Sequence, residues 1–288
     1  MNWTTNNKIR IPIFALIVLW LIGLTVWVCT SYQKTPGTEV TFPATQKPSV
    51  ETPVTITWLG HTAFKLTCKT KNVLIDPWIS GNPQCPIKVE DSYPADIILI
   101  SDNHSDHVGD SIAIAKATGA KVVTTPEIAA KLRTDGLPPE NIIYEGSGVN
   151  IGGEIAIEGI RIVMTEALHS TEIGSSTGYI IKFPGGATIY YAGDTGISAN
   201  MQVYGSIYPI HVALLPIGGI STMDSYQAVQ SLQLLKPAKV IPMRFGTFPN
   251  LAQNADEFVK LAKQVAPGVE VEVLKPGQSY ILKPGTYR

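Results

Sequence analysis

The chain opens with one uninterrupted apolar run, Ile11–Cys29, which contains no charged residue. As a helix rising about 1.5 Å per residue it would reach about 28 Å, close to the thickness of a bilayer's hydrocarbon core. Lys8 and Arg10 precede the run, and no acidic residue appears before Glu39. The positive-inside pattern therefore predicts a single-pass transmembrane anchor, with residues 1–10 in the cytoplasm and the rest of the chain on the extracytoplasmic side. A cleaved signal peptide would have a shorter apolar core, and Trp27-Val28-Cys29-Thr30 makes a poor cleavage site. Residues 30–53, rich in Pro and Thr and without periodicity, predict a semi-extended tether.

At Val54 the pattern changes to short β-branched runs punctuated by Gly and Pro. Val54–Trp58, Ala63–Thr67 and Asn72–Ile75 predict a three-stranded meander. Asp96–Ile100 is almost wholly apolar, as a strand buried on both faces would be. Ser111–Thr118 predicts a helix, Lys121–Thr124 a strand, and Pro126–Thr134 a helix begun by an N1 proline. Further strands are predicted at 155–157, 160–165, 179–183, 188–191, 212–215, 239–242 and 270–274, with helices at 225–235 and 254–265. Strands with flanking helices in both halves predict one layered α/β domain over residues 54–288, two sheets face to face with helices outside.

Composition narrows the function. With 44% hydrophobic residues the chain has enough apolar surface to fold. Its 22 basic and 23 acidic residues leave a net charge of −1 with no basic run, which argues against a nucleic-acid partner. Three cysteines make neither a disulfide scaffold nor a zinc cage. Cys68 and Cys85 could pair outside the cytoplasm, although two unpaired thiols packed as small hydrophobes is the favoured reading.

The five histidines carry the chemistry. His104, Asp106 and His107 crowd into the segment Ser101–His107, directly beyond the apolar strand. Their spacing fits neither one strand face nor ordinary packing, and imidazole and carboxylate at this density suit Zn, Mn or Fe. His169 follows another strand, and Asp194 lies in a Gly-flanked turn beyond a third. His211, in Ile210-His211-Val212, reads as a surface histidine.

Six ordered segments, Trp58–His61, Leu74–Pro77, His104–His107, Gly193–Gly196, Leu215–Gly219 and Pro242–Pro249, resemble motifs of the metallo-β-lactamase superfamily. Within it the nearest likeness is to small metal-dependent hydrolases related to ascorbate-phosphate lactonases and N-acyl-phosphatidylethanolamine phospholipase D. The resemblance covers about Val54 to Leu282. It implies a four-layer αββα sandwich with a dinuclear metal site on the common edge of the sheets. By that resemblance His104 and His169 match first-metal positions, Asp106 and His107 match second-metal positions, and Asp194 matches the bridge. Two positions depart from the pattern: Asp102 stands where the family has its first histidine, and Arg244 where it has its last.

A carboxylate at Asp102 can still ligate, favouring Mn or Fe over Zn. Arg244 cannot, because a guanidinium stays protonated. The expectation is that Arg244 pairs with Asp106 or Asp194, and that one ion rather than two is held by His104, His169, Asp194 and Asp102. Asp106 would then orient or deprotonate water, and Arg244 would neutralise charge on a small-molecule substrate. The expected reaction is hydrolysis of a phosphodiester, ester or lactone; the alternative is a non-catalytic binding protein that keeps the fold. Asp76 is expected to hydrogen-bond beneath the metal loop. His61 is expected either to contact a ligand or substrate or to serve as a turn residue. Oligomeric state is not legible.

Overall fold

The computed structural model of this chain describes residues 49–286. The anchor expected at residues 11–29 and the tether residues 30–48 lie outside the described part. Among the described residues no helix is long and apolar enough to cross a membrane.

The strands, in chain order, begin with β1 (Ser49–Val50), β2 (Val54–Gly60), β3 (Ala63–Cys68), β4 (Lys71–Ile75), β5 (Ile97–Leu99) and β6 (Lys121–Val123). They continue with β7 (Glu154–Ile157), β8 (Ile160–Glu166), β9 (Thr177–Lys182), β10 (Thr188–Tyr191), β11 (Val212–Pro216), β12 (Lys239–Met243), β13 (Glu270–Val271), β14 (Ser279–Leu282) and β15 (Gly285–Thr286). One six-stranded sheet runs β14-β2-β3-β4-β5-β6, and a seven-stranded sheet runs β13-β12-β11-β10-β9-β8-β7. The expected meander is present, since β2–β3 and β3–β4 both pair antiparallel. From there β4, β5 and β6 run parallel, as do β10 to β13.

Helices cover the outer faces. The single turn α1 (Ser105–Val108), α2 (Ser111–Thr118) and α3 (Pro126–Thr134) accompany the first sheet; α4 (Asn200–Ile207), α5 (Ser225–Leu235) and α6 (Asp256–Val265) accompany the second. Strand β5 shows why its sequence is apolar on both sides. Ile97 and Leu99 belong to the core between the sheets, while Ile98 and Ile100 pack with Ile114, Ala115, Ile128 and Leu132 of α2 and α3. The four-layer α/β sandwich is thus the observed architecture.

Several boundaries move. Residues before 54 also join the fold: Ser49–Val50 pairs antiparallel with Gly285–Thr286, and the Glu51 N–H donates to the Gly185 carbonyl at 2.6 Å. A two-residue strand is too short to leave a periodic signal. The strand expected over 270–274 is paired only at Glu270–Val271. Helix α4 and strand β14 were not anticipated: both carry apolar residues on their exposed sides, Val203, Ile207 and Ile281, which blurs their periodicity. His211 is buried rather than on the surface, its Nδ1 accepting the Thr188 N–H at 3.1 Å. Cys68 and Cys85 are unpaired.

Candidate metal centre

The directions of the strands bring the chemistry to one edge. β2, β4 and β5 run parallel in the first sheet, as β8, β10, β11 and β12 do in the second. The loops at their C-terminal ends carry His61, Asp76, the segment Ser101–His107, His169, Asp194, Ser221 and Arg244. Thr177 N–H to Ser101 carbonyl (2.8 Å) and Arg244 N–H to His61 carbonyl (3.0 Å) tie the two sheets together here. His61, Asp76 and Arg244, each the first residue past its strand, have left-handed backbones with φ of 52°, 43° and 62°. Such strain persists only where the surroundings over-determine it, as at ligand sites. Gly193, before Asp194, is obligatory: at φ 65° an added Cβ would lie 2.3 Å from the Thr177 carbonyl oxygen.

The side chains line a cavity of about 640 Å³ whose walls include His104, Asp106, His169, Asp194 and Arg244. A second groove, of about 420 Å³ along Lys121, Ile143, Ile155 and Ile157, is more apolar and is lined by no imidazole or thiol. In the first cavity Asp102, His104 and His169 each offer a ligand atom, and these atoms lie within 4.8 Å of one another. Asp102 is fully buried and accepts from the His104 N–H (2.9 Å) and from Ser176 Oγ, with His104 Nδ1 2.6 Å away. His169 Nδ1 donates to the Ser221 carbonyl at 2.9 Å, which leaves its Nε2 bare toward the cavity, 3.7 Å from Asp194 Oδ2. This is the donor set that a divalent cation needs, with one imidazole tautomer fixed from behind.

The other half of the cavity differs. Arg244 Nε lies 2.7 Å from Asp194 Oδ1, both side chains nearly buried, so the expected pairing goes to Asp194. Asp76 accepts from Ser101 N (2.8 Å), Ser101 Oγ (2.5 Å), Tyr191 Oη (2.5 Å) and His107 Nδ1 (2.7 Å). It lies beneath the metal loop as expected and turns His107 Nε2 toward Asp194 Oδ2, 3.6 Å away. Burial opposes charging His107, yet the Asp76 and Asp194 carboxylates outweigh it and hold its pKa well above the ordinary imidazole value. Burial likewise opposes ionising Asp194, but His107, Arg244 and His169 hold its carboxyl below the usual range. His107 Nε2 and both Asp194 oxygens lack a hydrogen-bond partner of good geometry. The positive charge that Asp194 calls for is supplied here by the side chains of His107 and Arg244.

His61 resolves into a hydrogen-bond chain. The Gln84 amide is oriented without ambiguity, since Oε1 accepts the His61 N–H (3.0 Å) and Nε2 donates to the Phe245 carbonyl (3.0 Å). Thr247 must then spend its one hydroxyl hydrogen on Gln84 Oε1 (2.8 Å), so at 2.9 Å His61 Nδ1 must donate to Thr247. The neutral ring therefore has a bare Nε2, 3.2 Å from Asp106 Oδ2. Burial is the main reason the His61 pKa is lowered, against the opposing pull of Asp106. For Asp106 burial would raise the pKa, but the His61 ring, once protonated, and the His107 charge hold it well below the carboxyl range. Any proton between the two changes the charge of the pair.

All nine residues singled out from the sequence, Arg244 included, converge on this edge. Asp102, His104 and His169 come together as a donor cluster, Asp194 faces both halves, and Asp106 and His107 turn to His61 and Asp76. Sequence reasoning missed Gln84, Thr247, Ser176, Ser221 and Tyr191, which act through hydrogen bonds that no spacing rule announces. Thr247 had a signal, lying inside the Pro242–Pro249 segment.

Comparison with known proteins identifies the family. The profile of the Beta-lactamase superfamily domain matches residues 71–245. A UPF0173 metal-dependent hydrolase of Lawsonia intracellularis is 45% identical over 225 residues, 78% of this chain and 97% of that protein. One from Methanopyrus kandleri is 41% identical, over 78% of this chain and 98% of its own length. Among solved structures, a metallo hydrolase from the hyperthermophilic archaeon Ignicoccus hospitalis superposes with a TM-score of 0.73 at 38% identity, covering 80% of this chain and 99% of that one.

Proposed function

Because the chain belongs to the beta-lactamase superfamily, among the UPF0173 metal-dependent hydrolases, we propose that its domain hydrolyses a phosphodiester, ester or lactone at a single divalent cation. Asp102, His104 and His169 hold the ion, with Asp194 beside them; the approach of their ligand atoms to within 4.8 Å is the observation that carries the reading. A carboxylate in place of an imidazole hardens the set and favours Mn or Fe over Zn. Bound there, a divalent cation supplies Lewis acidity and brings the pKa of water toward neutrality.

The chain's own residues do the rest. Arg244 fills the region opposite Asp194 with a fixed positive charge, leaving no place for a second ion, and meets negative charge that develops on the substrate. Its Nη2 lies 3.4 Å from Ser221 Oγ, which steadies the guanidinium at the cavity wall. The His61–Asp106 pair takes a proton from the attacking water and returns it to the leaving oxygen, with the ring tautomer locked by Thr247. The uncharged run at residues 11–29 supports tethering of the domain to a membrane on its extracytoplasmic side.

Elemental analysis of the purified full chain should give one Mn, Fe or Zn per molecule. The loaded protein should cleave at least one of bis-p-nitrophenyl phosphate, p-nitrophenyl acetate and a simple lactone, and lose that rate to chelation. Two ions at full occupancy would end the single-cation reading, and a metal-loaded protein inert on all three would favour the binding-only alternative. Protease added outside intact cells should remove the domain; protection would place it inside.

A further inference from the structure

Ile220 sits in a conformation that an isoleucine should avoid. Its φ is 62°, and it is the only β-branched residue with a positive φ among the described residues. The Ser221 N–H donates to the Gly219 carbonyl at 2.8 Å, so Ile220 is the centre of a γ-turn of the rare, strained hand. Its side chain is 76% exposed, more than any other large apolar side chain described. Neither backbone comfort nor burial accounts for isoleucine there. Strained residues of this kind gather at ligand clamps.

The turn stands at the cavity. Ser221, the next residue, accepts from His169 Nδ1 and lies against Arg244. Leu168, which immediately precedes His169, is 54% exposed. Phe248, 40% exposed, stacks on Trp78 with ring centroids 6.1 Å apart and meets edge-on, at 5.5 Å, the ring of His61, whose partner Asp106 lines the cavity. The cavity is lined by imidazole, carboxylate and guanidinium, and Ile220 and Leu168, both left open to water, are the chain neighbours of its lining residues Ser221 and His169.

We infer that Ile220, with Leu168 and Phe248, receives an apolar substituent of the substrate, an alkyl, acyl or aryl group next to the scissile bond. The inference rests on the single-cation reading above, since the polar part of the same molecule would sit at that centre. A fully buried methylene is worth about 0.8 kcal/mol, or about fourfold in affinity, and a half-buried one about twofold.

Hydroxamic acids test this, because their head groups chelate metals while the chain varies. The Mn-loaded full chain in detergent is titrated calorimetrically with acetohydroxamate through hexanohydroxamate, alongside Ile220→Asn and Phe248→Ser. Asparagine takes a positive φ far more readily than a β-branched residue, so Ile220→Asn eases the turn while removing the apolar surface. In the wild type, affinity should rise about twofold to fourfold per methylene. In either variant that rise should fall by half or more, and Ile220→Asn should melt at or above the wild-type temperature, which a merely structural isoleucine would not do. Affinity independent of chain length, or an unchanged rise in both variants, overturns the inference, as does no binding at all. If acetohydroxamate binds equally without Mn while the variants still lose the rise, the rim stands and the metal reading fails.

Discussion

The two halves of the cavity use the same residue types to opposite effect. At the Asp102–His104–His169 corner the donors approach one another with no cationic side chain among them, and hydrogen bonds from Ser176 and to the Ser221 carbonyl hold them from behind. Across the cavity each acidic group has an internal partner: Asp194 has Arg244, Asp106 has His61, and Asp76 has His107. A cation arriving at the first corner meets a carboxylate partnered by an imidazole and a hydroxyl; one arriving at the second must displace a guanidinium. Under the single-cation proposal, the arginine at 244 sets how many ions the site holds and the aspartate at 102 sets which.

The hardest way to break that contrast is to remove a donor from the first corner. His169→Ala should weaken metal affinity by more than the roughly 10–100-fold that losing an outer hydrogen-bond partner costs, and abolish turnover. A competition titration with a chelating dye reads it. Arg244 comes next. Arg244→Ala leaves a nearly buried Asp194 without its cation, and breaking such a pair costs about 3–5 kcal/mol of stability. Turnover should also fall by about 10²–10³, as when a group that stabilises transition-state charge is lost. Arg244→His should raise the metal content from one ion per chain to two. Unchanged stoichiometry in that variant would mean that the second corner lacks more than one ligand.

Most of the architecture was legible because it is built from strong local signals. The all-apolar strand at Ile97–Leu99 and the proline-started helix at Pro126 state their roles in a few residues. Strand β1 and helix α4 were not legible, since a two-residue pairing and a helix with Val203 and Ile207 exposed have no clear period. In the centre, His104, His169 and Asp194 could be named from the sequence because ligand residue types are few and their places at strand ends are stereotyped. Gln84 could not: it acts through an amide whose orientation matters only once His61 and Phe245 are beside it. Ile220 was equally silent, because strain is a property of φ and not of composition.

Thr247→Val sharpens the comparison from the second corner. Without the hydroxyl, His61 Nδ1 loses its acceptor and the ring is free to carry its hydrogen on Nε2 instead. Turnover should drop by about tenfold, a part of the 10²–10⁴ that proton transfer by a positioned group contributes. Nitrogen-15 spectra of the ring should show the tautomer shift, and Thr247→Ser should restore both; a spectrum unmoved in Thr247→Val would remove Thr247 from the proton path.

The smallest effect expected is on pH-dependent stability of the chelated, metal-free chain. His107, whose pKa is raised in the fold, contributes stability that is complete below about pH 6.5 and lost as pH climbs through its folded value. His61, whose pKa is lowered, works the other way, since the unfolded chain takes up its proton first as pH falls below about 6.5. Asp106 and Asp194, both lowered, add stability present above about pH 4 and lost as pH drops through their folded values. Denaturation midpoints should therefore peak near neutrality and decline on both sides. His107→Gln should flatten the alkaline limb, and Asp106→Asn only the most acidic part. An alkaline limb that survives in His107→Gln would show that the charge between Asp76 and Asp194 is not held by that imidazole.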